Sequence, residues 1–327
     1  MFVHFPEISG FHQVRKAVTA YPSLVSGVST VRYRGKVKIH GMNTAIGVTP
    51  DRLWTQSRER VITPGDDLAG FAAWVKSIDA KIPRLGTYAL FGEWCGPGIM
   101  RGTAINQIQS KVFAVFAASG IKDGQPTDEF MVEPTDLAAL VEGMPNTYVL
   151  PWDGDAFDID VLADGSEIAP ILERVNARVA EVEAEDPWVK ATFGATGIGE
   201  GLVYFPRARH SGREHFKNLA FKAKGDAHKT VAHAKPAQVD PEVAAGATSF
   251  AGLVLTEARL EQGARVAAGG ALSCEKRLLG PFLAWVIKDV QKECEAELEA
   301  SKLTWKQVQK ALTEHARSWY TEKSKTL

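Results

Sequence analysis

Val37-Lys38-Ile39-His40-Gly41-Met42-Asn43 is a short β-prone run that delivers a lysine and then turns on a glycine. Covalent nucleotidyl transfer needs such an amine on a rigid strand, held in line with a phosphorus atom. Gly41 leaves room for backbone and nucleotide to approach each other. A lone lysine is more often a solvated surface residue, so this stretch takes its meaning from the motifs further along the chain.

Three further stretches succeed it in order. In Phe91-Gly92-Glu93-Trp94-Cys95-Gly96-Pro97-Gly98 a strand ends in a carboxylate before a glycine-rich turn, a place where Glu93 can accept a ribose hydroxyl. In Gly197-Ile198-Gly199-Glu200-Gly201-Leu202-Val203-Tyr204 a carboxylate flanked by glycines enters an apolar strand, and such a group can hold a divalent metal beside phosphate. The glycines lack the Gly-x-Gly-x-x-Gly spacing of a dinucleotide fingerprint, and a strand rather than a helix comes next. In Leu219-Ala220-Phe221-Lys222-Ala223-Lys224-Gly225 alternation puts Lys222 and Lys224 on one face, which is costly unless an anion such as a triphosphate sits there. The same two charges would disfavour protonation of a neighbouring Lys38. Each stretch also has a plain reading, as a hairpin turn or as an edge strand with solvated lysines.

Around these stretches the chain predicts an α+β architecture with antiparallel sheets. Short runs such as 37–40, 88–92 and 111–116 alternate with turns, and helical spacing appears over 67–78 and 170–184. Past about residue 239 the pattern is helical throughout. Asp240-Pro241 reads as a helix start, Leu283, Val286, Ile287, Val290 and Cys294 recur at helical spacing, and Thr304-Trp305-Lys306-Gln307 has the form of a capping box. The expected organisation is a first domain over 1–235, a linker rich in Ala, Lys, His and Pro, and a small all-helical domain over 240–327.

Joined in this order, Lys38-Ile39-His40-Gly41, Phe91-Gly92-Glu93, Glu200-Gly201-Leu202-Val203 and Phe221-Lys222-Ala223-Lys224 closely resemble the covalent nucleotidyltransferase superfamily of RNA ligases, DNA ligases and capping enzymes. Within it the chain looks most like the RNA ligase 2 family. His40 with Asn43 favours RNA ligases over DNA ligases, and Ser57-Arg58 fits the family's arginine. The resemblance covers roughly residues 30 to 229. It implies an adenylation domain in which Lys38 is the nucleophile that takes AMP from ATP, with His40, Gly41 and Asn43 shaping its loop. It further implies that Arg58 meets phosphate, Glu93 binds the ribose, and Phe116 stacks on adenine with Phe113 as the alternative. Glu200 would hold Mg2+, or Mn2+ in its place, while Lys222 and Lys224 would bind phosphate and support the transition state. Lys190 is a weaker candidate for the same pocket. Two departures bear on the purine contacts and the substrate class. Ala117 stands where the family often has Asp, and Val37 where close relatives often have an acidic residue.

Composition narrows the partners. The net charge of -1 gives no global basic signal, so RNA would be held by a local patch. Arg207, Arg209, Arg213, Lys217 and Lys229 form the strongest basic concentration and fit a nucleic-acid footprint or an exposed loop equally well. The stretch from Asp153 to Asp164 reads as a solvated acidic loop, and His210, His215, His228 and His233 as a polar rim. Three widely spaced cysteines argue against a disulfide framework, and no apolar run reaches membrane-spanning length. The expectation is a soluble, cytoplasmic enzyme acting on RNA, with no membrane and no evident obligate protein partner. The competing readings are a DNA ligase and a non-catalytic RNA-binding module of the same fold.

Overall fold

The strand predicted at Lys38 forms, but it stops one residue short of it. In the computed structural model, which describes residues 1–25, 27–207, 210, 212–225, 246–301 and 303–326, β1 runs over Thr30–Val37. Lys38 makes one last backbone bond, its N–H to the Gly201 carbonyl at 2.8 Å. Residues 39–41 then cross to a second sheet, where β2 (Met42–Val48) begins. The reading of 37–40 as one strand is corrected accordingly, because the chain has to change sheets there.

The chain divides into two compact units, Met1–Gly225 and Asp226–Leu327. The first is a mixture of helices and mainly antiparallel sheets. Its strands beyond β2 are β3 (Leu53–Ser57), β4 (Val61–Ile62), β5 (Tyr88–Cys95), β6 (Val112–Lys122), β7 (Gln125–Met131), β8 (Thr147–Val149), β9 (Asp153–Asp160), β10 (Gly201–Pro206) and β11 (Phe221–Lys224). One sheet has the order β11-β10-β1-β9, and the other β4-β3-β2-β5-β6-β7 with β8 parallel to β6. Both put apolar side chains inward at alternate positions. They meet through Phe5, Ala45, Phe91, Ala117, Phe130, Phe205 and Phe216, one contiguous buried cluster drawn from both sheets and the N-terminal segment.

Helices cover the outer faces. α1 (Phe11–Ala20) and α4 (Gly165–Ala184) join a core with β1, β9 and β10, and α2 (Phe71–Ser77) and α3 (Pro134–Leu140) join one with the larger sheet. Asp67 starts α2 by accepting from the Leu68, Ala72 and Ala73 amides, which satisfies donors that a helix start leaves open. α5 (Pro187–Phe193) is capped by Asp186 in the same way, and α6 (Arg213–Leu219) leads into β11. The stretch from Asp153 is not the expected solvated loop. Its first eight residues are β9, paired antiparallel with β1, and Asp153 is fixed by the Arg178 guanidinium. A residue pattern of alternating carboxylates hid a strand because its outer face is charged.

In the second unit every described element is helical: α7 (Ala247–Val254), α8 (Glu257–Ala267), α9 (Leu279–Glu293), α10 (Glu295–Ala300) and α11 (Trp305–Lys323). Phe250, Val254, Leu260, Phe282, Val286, Val290, Val308, Leu312 and Tyr320 form its core, with Trp305 and Trp319 packed at the edge. The Thr304–Gln307 capping box forms, with the Thr304 amide donating to the Gln307 side chain at 2.7 Å. The linker predicted from His228 to Asp240, with His233 and the Asp240-Pro241 helix start, lies outside the described residues. None of the helices is long and apolar enough to cross a membrane, among the described residues.

Candidate active site

Lys38, Glu200 and Lys224 come from the adjoining ends of β1, β10 and β11, so the smaller sheet itself brings them together. Lys38 Nζ donates to Glu200 Oε2 at 2.7 Å, His40 Nδ1 donates to the same oxygen at 3.2 Å, and Lys224 Nζ stands 3.4 Å from Oε1. Glu200 is only 2% exposed. Burial alone would push its carboxyl up, but Lys38, Lys224 and His40 together outweigh burial and hold it well below the usual carboxylate range. The result is a buried, ionised carboxylate bracketed by two ammonium groups and an imidazole.

Two glycines make this geometry possible. Gly201 has φ +136°, and a Cβ there would come within 2.2 Å of the Ala223 carbonyl oxygen and 2.8 Å of Lys224 Cα. Any side chain at 201 would push β11 and Lys224 away from Glu200. A Cβ on Gly41 would lie 2.6 Å from the Trp94 carbonyl oxygen and 2.9 Å from Glu93 Cγ. The loop after Lys38 therefore rests directly on β5, where the Gly41 backbone helps to offset the effect of burial on the Glu93 carboxyl.

Glu93 enters from the larger sheet, directly opposite Asn43 in the β2–β5 ladder. Burial pushes its carboxyl up to about 7, against the pull of Lys38 and Arg58 and with a smaller upward push from Glu200. Arg58 comes just after β3 and pairs with Glu7 at 3.3 Å on a half-exposed surface, so it reaches Glu93 through its field rather than by contact. Phe116 occupies a β-bulge: Phe91 faces Ala117 and Gly92 faces Val115, which leaves Phe116 as the extra residue of β6. Its ring is half-buried and packs on Phe5 at 5.1 Å. Phe113, the alternative stacker, is fully buried against Phe71 and Trp74 and belongs to the core.

The sequence reading expected Lys222 and Lys224 to act on the Lys38 amine directly. In the structure the charge in contact with Lys38 is the Glu200 carboxylate, and Lys224 acts on that same carboxylate. Lys222 stands two residues earlier on β11, opposite Val203. Lys190 pairs with Glu185 on an exposed helix surface and does not join the group. The basic concentration is partly used inside the fold: Arg207 pairs with Glu133, and Arg213 lies 4.3 Å over the Phe130 ring and donates to Ser119 and Thr127. Arg209 and Lys229 lie outside the described residues.

One residue escaped the sequence reading. Lys36 is 1% exposed, although alternation places it with Arg32 and Arg34 on the polar face of β1. The signal was masked because β1 is buried on one face over its first half and on both over its second.

A sequence model of RNA ligases matches residues 32–224. Among solved structures the chain is similar to Naegleria gruberi RNA ligase. An apo aspartate-to-alanine variant matches at 16% identity over 69% of this chain and 56% of that one, with a TM-score of 0.41. A lysine-to-alanine variant with ATP and Mn matches at 15% over 70% and 57%, with a TM-score of 0.42. The same ligase with PPi matches at 16% over 70% and 57%, with a TM-score of 0.40. The match spans little more than half of those chains. No curated protein matches the sequence.

Proposed function

The chain belongs to the RNA ligase family, whose sequence model covers more than half of it, and on that premise we propose that it joins RNA 3′-hydroxyl and 5′-phosphate ends at the expense of ATP, through a lysyl-AMP on Lys38. The observation that carries this reading is the convergence of Lys38, His40 and Lys224 on one buried carboxylate, Glu200. Two ammonium groups and an imidazole around one carboxylate place hydrogen-bond donors and positive charge where the oxygens of a triphosphate would need them. A non-catalytic binding module has no need for a lysine held in that position.

In the first step Lys38 Nζ gives up a proton to solvent, leaves Glu200 and attacks the α-phosphorus of ATP. An N–P bond forms, and the P–O bond to pyrophosphate breaks. Lys224 and Lys222 offer positive charge to the phosphate oxygens as negative charge builds up on them. Glu93 accepts from a ribose hydroxyl, and Phe116 supplies a face for the base. In the second step AMP passes from Lys38 to the RNA 5′-phosphate, and in the third the RNA 3′-hydroxyl displaces AMP. RNA repair is the use such a reaction fits.

A divalent ion, Mg2+ or Mn2+, would be held by Glu200. The fit rests on the donor: a fully ionised oxygen ligand beside the place where phosphate oxygens, which complete such sites, would lie. When bound, the ion supplies positive charge at the phosphates and at Glu200.

The test is incubation with α-labelled ATP and Mg2+, followed by a denaturing gel. Label should stay on the protein and leave when RNA with a 5′-phosphate is added. Sealing of matched RNA, DNA and hybrid nicks then separates an RNA ligase from a DNA ligase. A protein that takes no label under any of these conditions would sink the proposal.

A further inference from the structure

Lys36 sits two residues before the nucleophile and points between the two sheets. Its Nζ donates to the Phe116 carbonyl at 3.0 Å and stands 4.8 Å from the centroid of the Trp152 ring, with the Phe205 ring at 5.9 Å. The charged groups around it are Arg34 and Arg207, which lie over the same indole at 5.4 and 5.0 Å, and Glu133, which accepts from Trp152 Nε1 and pairs with Arg207. Among the described residues no carboxylate pairs with Lys36 itself. Burial lowers its pKa to about 7, and Arg207 adds to the effect.

A lysine without a carboxylate partner is an expensive thing to bury, because burial disfavours its charged form, and a methionine of similar length would fill the space at lower cost. Places where a protein breaks a rule of stable packing tend to be places of function. The atom that Lys36 holds is informative. The Phe116 carbonyl belongs to the bulge that takes the Phe116 ring out of the β5–β6 ladder. Phe5 backs the ring from one side, and Lys36 fixes the peptide that sets its direction. In this way β1 holds both the nucleophile, at its end, and the aromatic residue of the opposite sheet, through Lys36.

We propose that Lys36 is a positioning residue for the nucleotide base: by holding the Phe116 carbonyl it fixes the aromatic plane on which the purine stacks. The inference rests on the ligase reading of the site. It is tested in the full chain with Lys36→Met, which keeps the length and removes the donor. Four quantities are measured: the ATP dependence of labelled-adduct formation, its rate at saturating ATP, inhibition by tripolyphosphate, and the melting temperature. The half-saturating ATP concentration should rise about tenfold, the loss of ~1.4 kcal/mol of base contact. The saturating rate and the inhibition by tripolyphosphate, which has no base, should stay as they were. The melting temperature should not fall. An unchanged ATP dependence overturns the inference, and so does a fall in melting temperature with equal losses of rate and affinity, which would make Lys36 a structural residue. If the unmodified protein forms no adduct, the ligase reading fails, and calorimetric ATP binding then decides Lys36 alone. Equal ATP affinity with and without the lysine, or no ATP binding at all, overturns it there.

Discussion

Lys36 in the first unit and Arg259 in the second are both buried basic side chains, 1% and 0% exposed, and they are accommodated in opposite ways. Arg259 finds a carboxylate: its Nε donates to Asp289 Oδ2 at 3.0 Å, and its Nη1 to the Val254 carbonyl at 2.6 Å and to Cys294 Sγ at 2.9 Å. It ties the ends of α7 and α9 to α8, on which it stands. Lys36 finds a carbonyl and a ring face but no carboxylate. The same contrast runs through the two units. In the helical unit Lys276, Arg277, Lys306, Lys310 and Arg317 are exposed. In the first unit Lys38 and Lys224, both partly buried, are gathered on the buried Glu200. A buried cation paired with a carboxylate, as Arg259 is with Asp289, holds the fold together. A buried amine that finds no carboxylate, as Lys36 does, holds a backbone carbonyl instead, here that of Phe116.

The largest effect that could break this contrast is at Lys38, the proposed nucleophile. We predict that Lys38→Ala lowers labelled-adduct yield by on the order of a thousandfold or more, since removing a nucleophile removes the step itself. Lys38→Arg should not restore it, because a guanidinium stays protonated. Adduct of undiminished yield in Lys38→Ala would remove the assignment. Next in size is the opposite result in the other unit. Arg259→Ala takes the buried guanidinium away from Asp289 and should cost the helical unit about 3–5 kcal/mol. Denaturant unfolding would read the loss, and adduct formation below the new transition should be unaffected. If Arg259→Ala abolished the adduct while the protein stayed folded, the helical unit would hold part of the chemistry.

Glu93 gives a smaller effect with a defined pH window. Its carboxyl sits at about 7 in the folded protein against an ordinary value of 4.5, because burial disfavours the charged form. As pH rises past 4.5 the unfolded chain gives up this proton first. Stability therefore falls from there until about 7, where the folded form ionises too, and then levels. Glu93→Gln has no such loss. It should be more stable than the parent by about 1–3 kcal/mol above about pH 7, with the gain vanishing toward about pH 5. Urea unfolding at the two pH values checks this. The same variant should need more ATP for half-saturation, because an amide is a weaker acceptor than a carboxylate. A gain in stability that does not depend on pH would mean that Glu93 is not held near neutrality.

The grouping of the candidate-site residues was legible in the sequence where chemistry fixes residue type and order. Lys38, Glu93, Glu200 and Lys224 stand on adjoining strand ends or within one ladder, and glycines 41 and 201 mark the close approaches between them. What was not legible depends on tertiary burial. Lys36 shares strand parity with two arginines that reach solvent, and nothing local says that the second half of β1 is covered on both faces. The stretch from Asp153 looked like a loop because carboxylates on the outer face of an edge strand resemble carboxylates in water. The end of β1 was misjudged by a residue or more because Ile39 and His40 continue its β-prone composition while the chain is already leaving for the second sheet. Helical periodicity in the second unit was easier to read, since its apolar stripe and the Thr304 capping box are local features.

The smallest expected change comes from removing the second unit altogether. Every residue assigned to nucleotide chemistry lies before Gly225, and the first unit has hydrophobic cores of its own, so it has what a domain needs to fold alone. A chain ending at Gln238 should form lysyl-AMP within about twofold of the full chain, the additivity expected of regions that share no site. Sealing is a different demand, because it must also grip two RNA ends, and phosphate contacts supply that grip. Exposed Lys276, Lys306, Lys310 and Arg317 are available for it, although charges on a helix surface are more often only solvated. The shortened chain should therefore join pre-adenylated RNA poorly while still labelling itself, once circular dichroism and gel filtration show that it is folded. The contrast between the units then has two ways to fail. A large drop in adduct would place part of the nucleotide site beyond Gly225. Full sealing would mean that the helical unit's surface charges meet nothing in the reaction, and that its contribution lies in stability or in a protein partner.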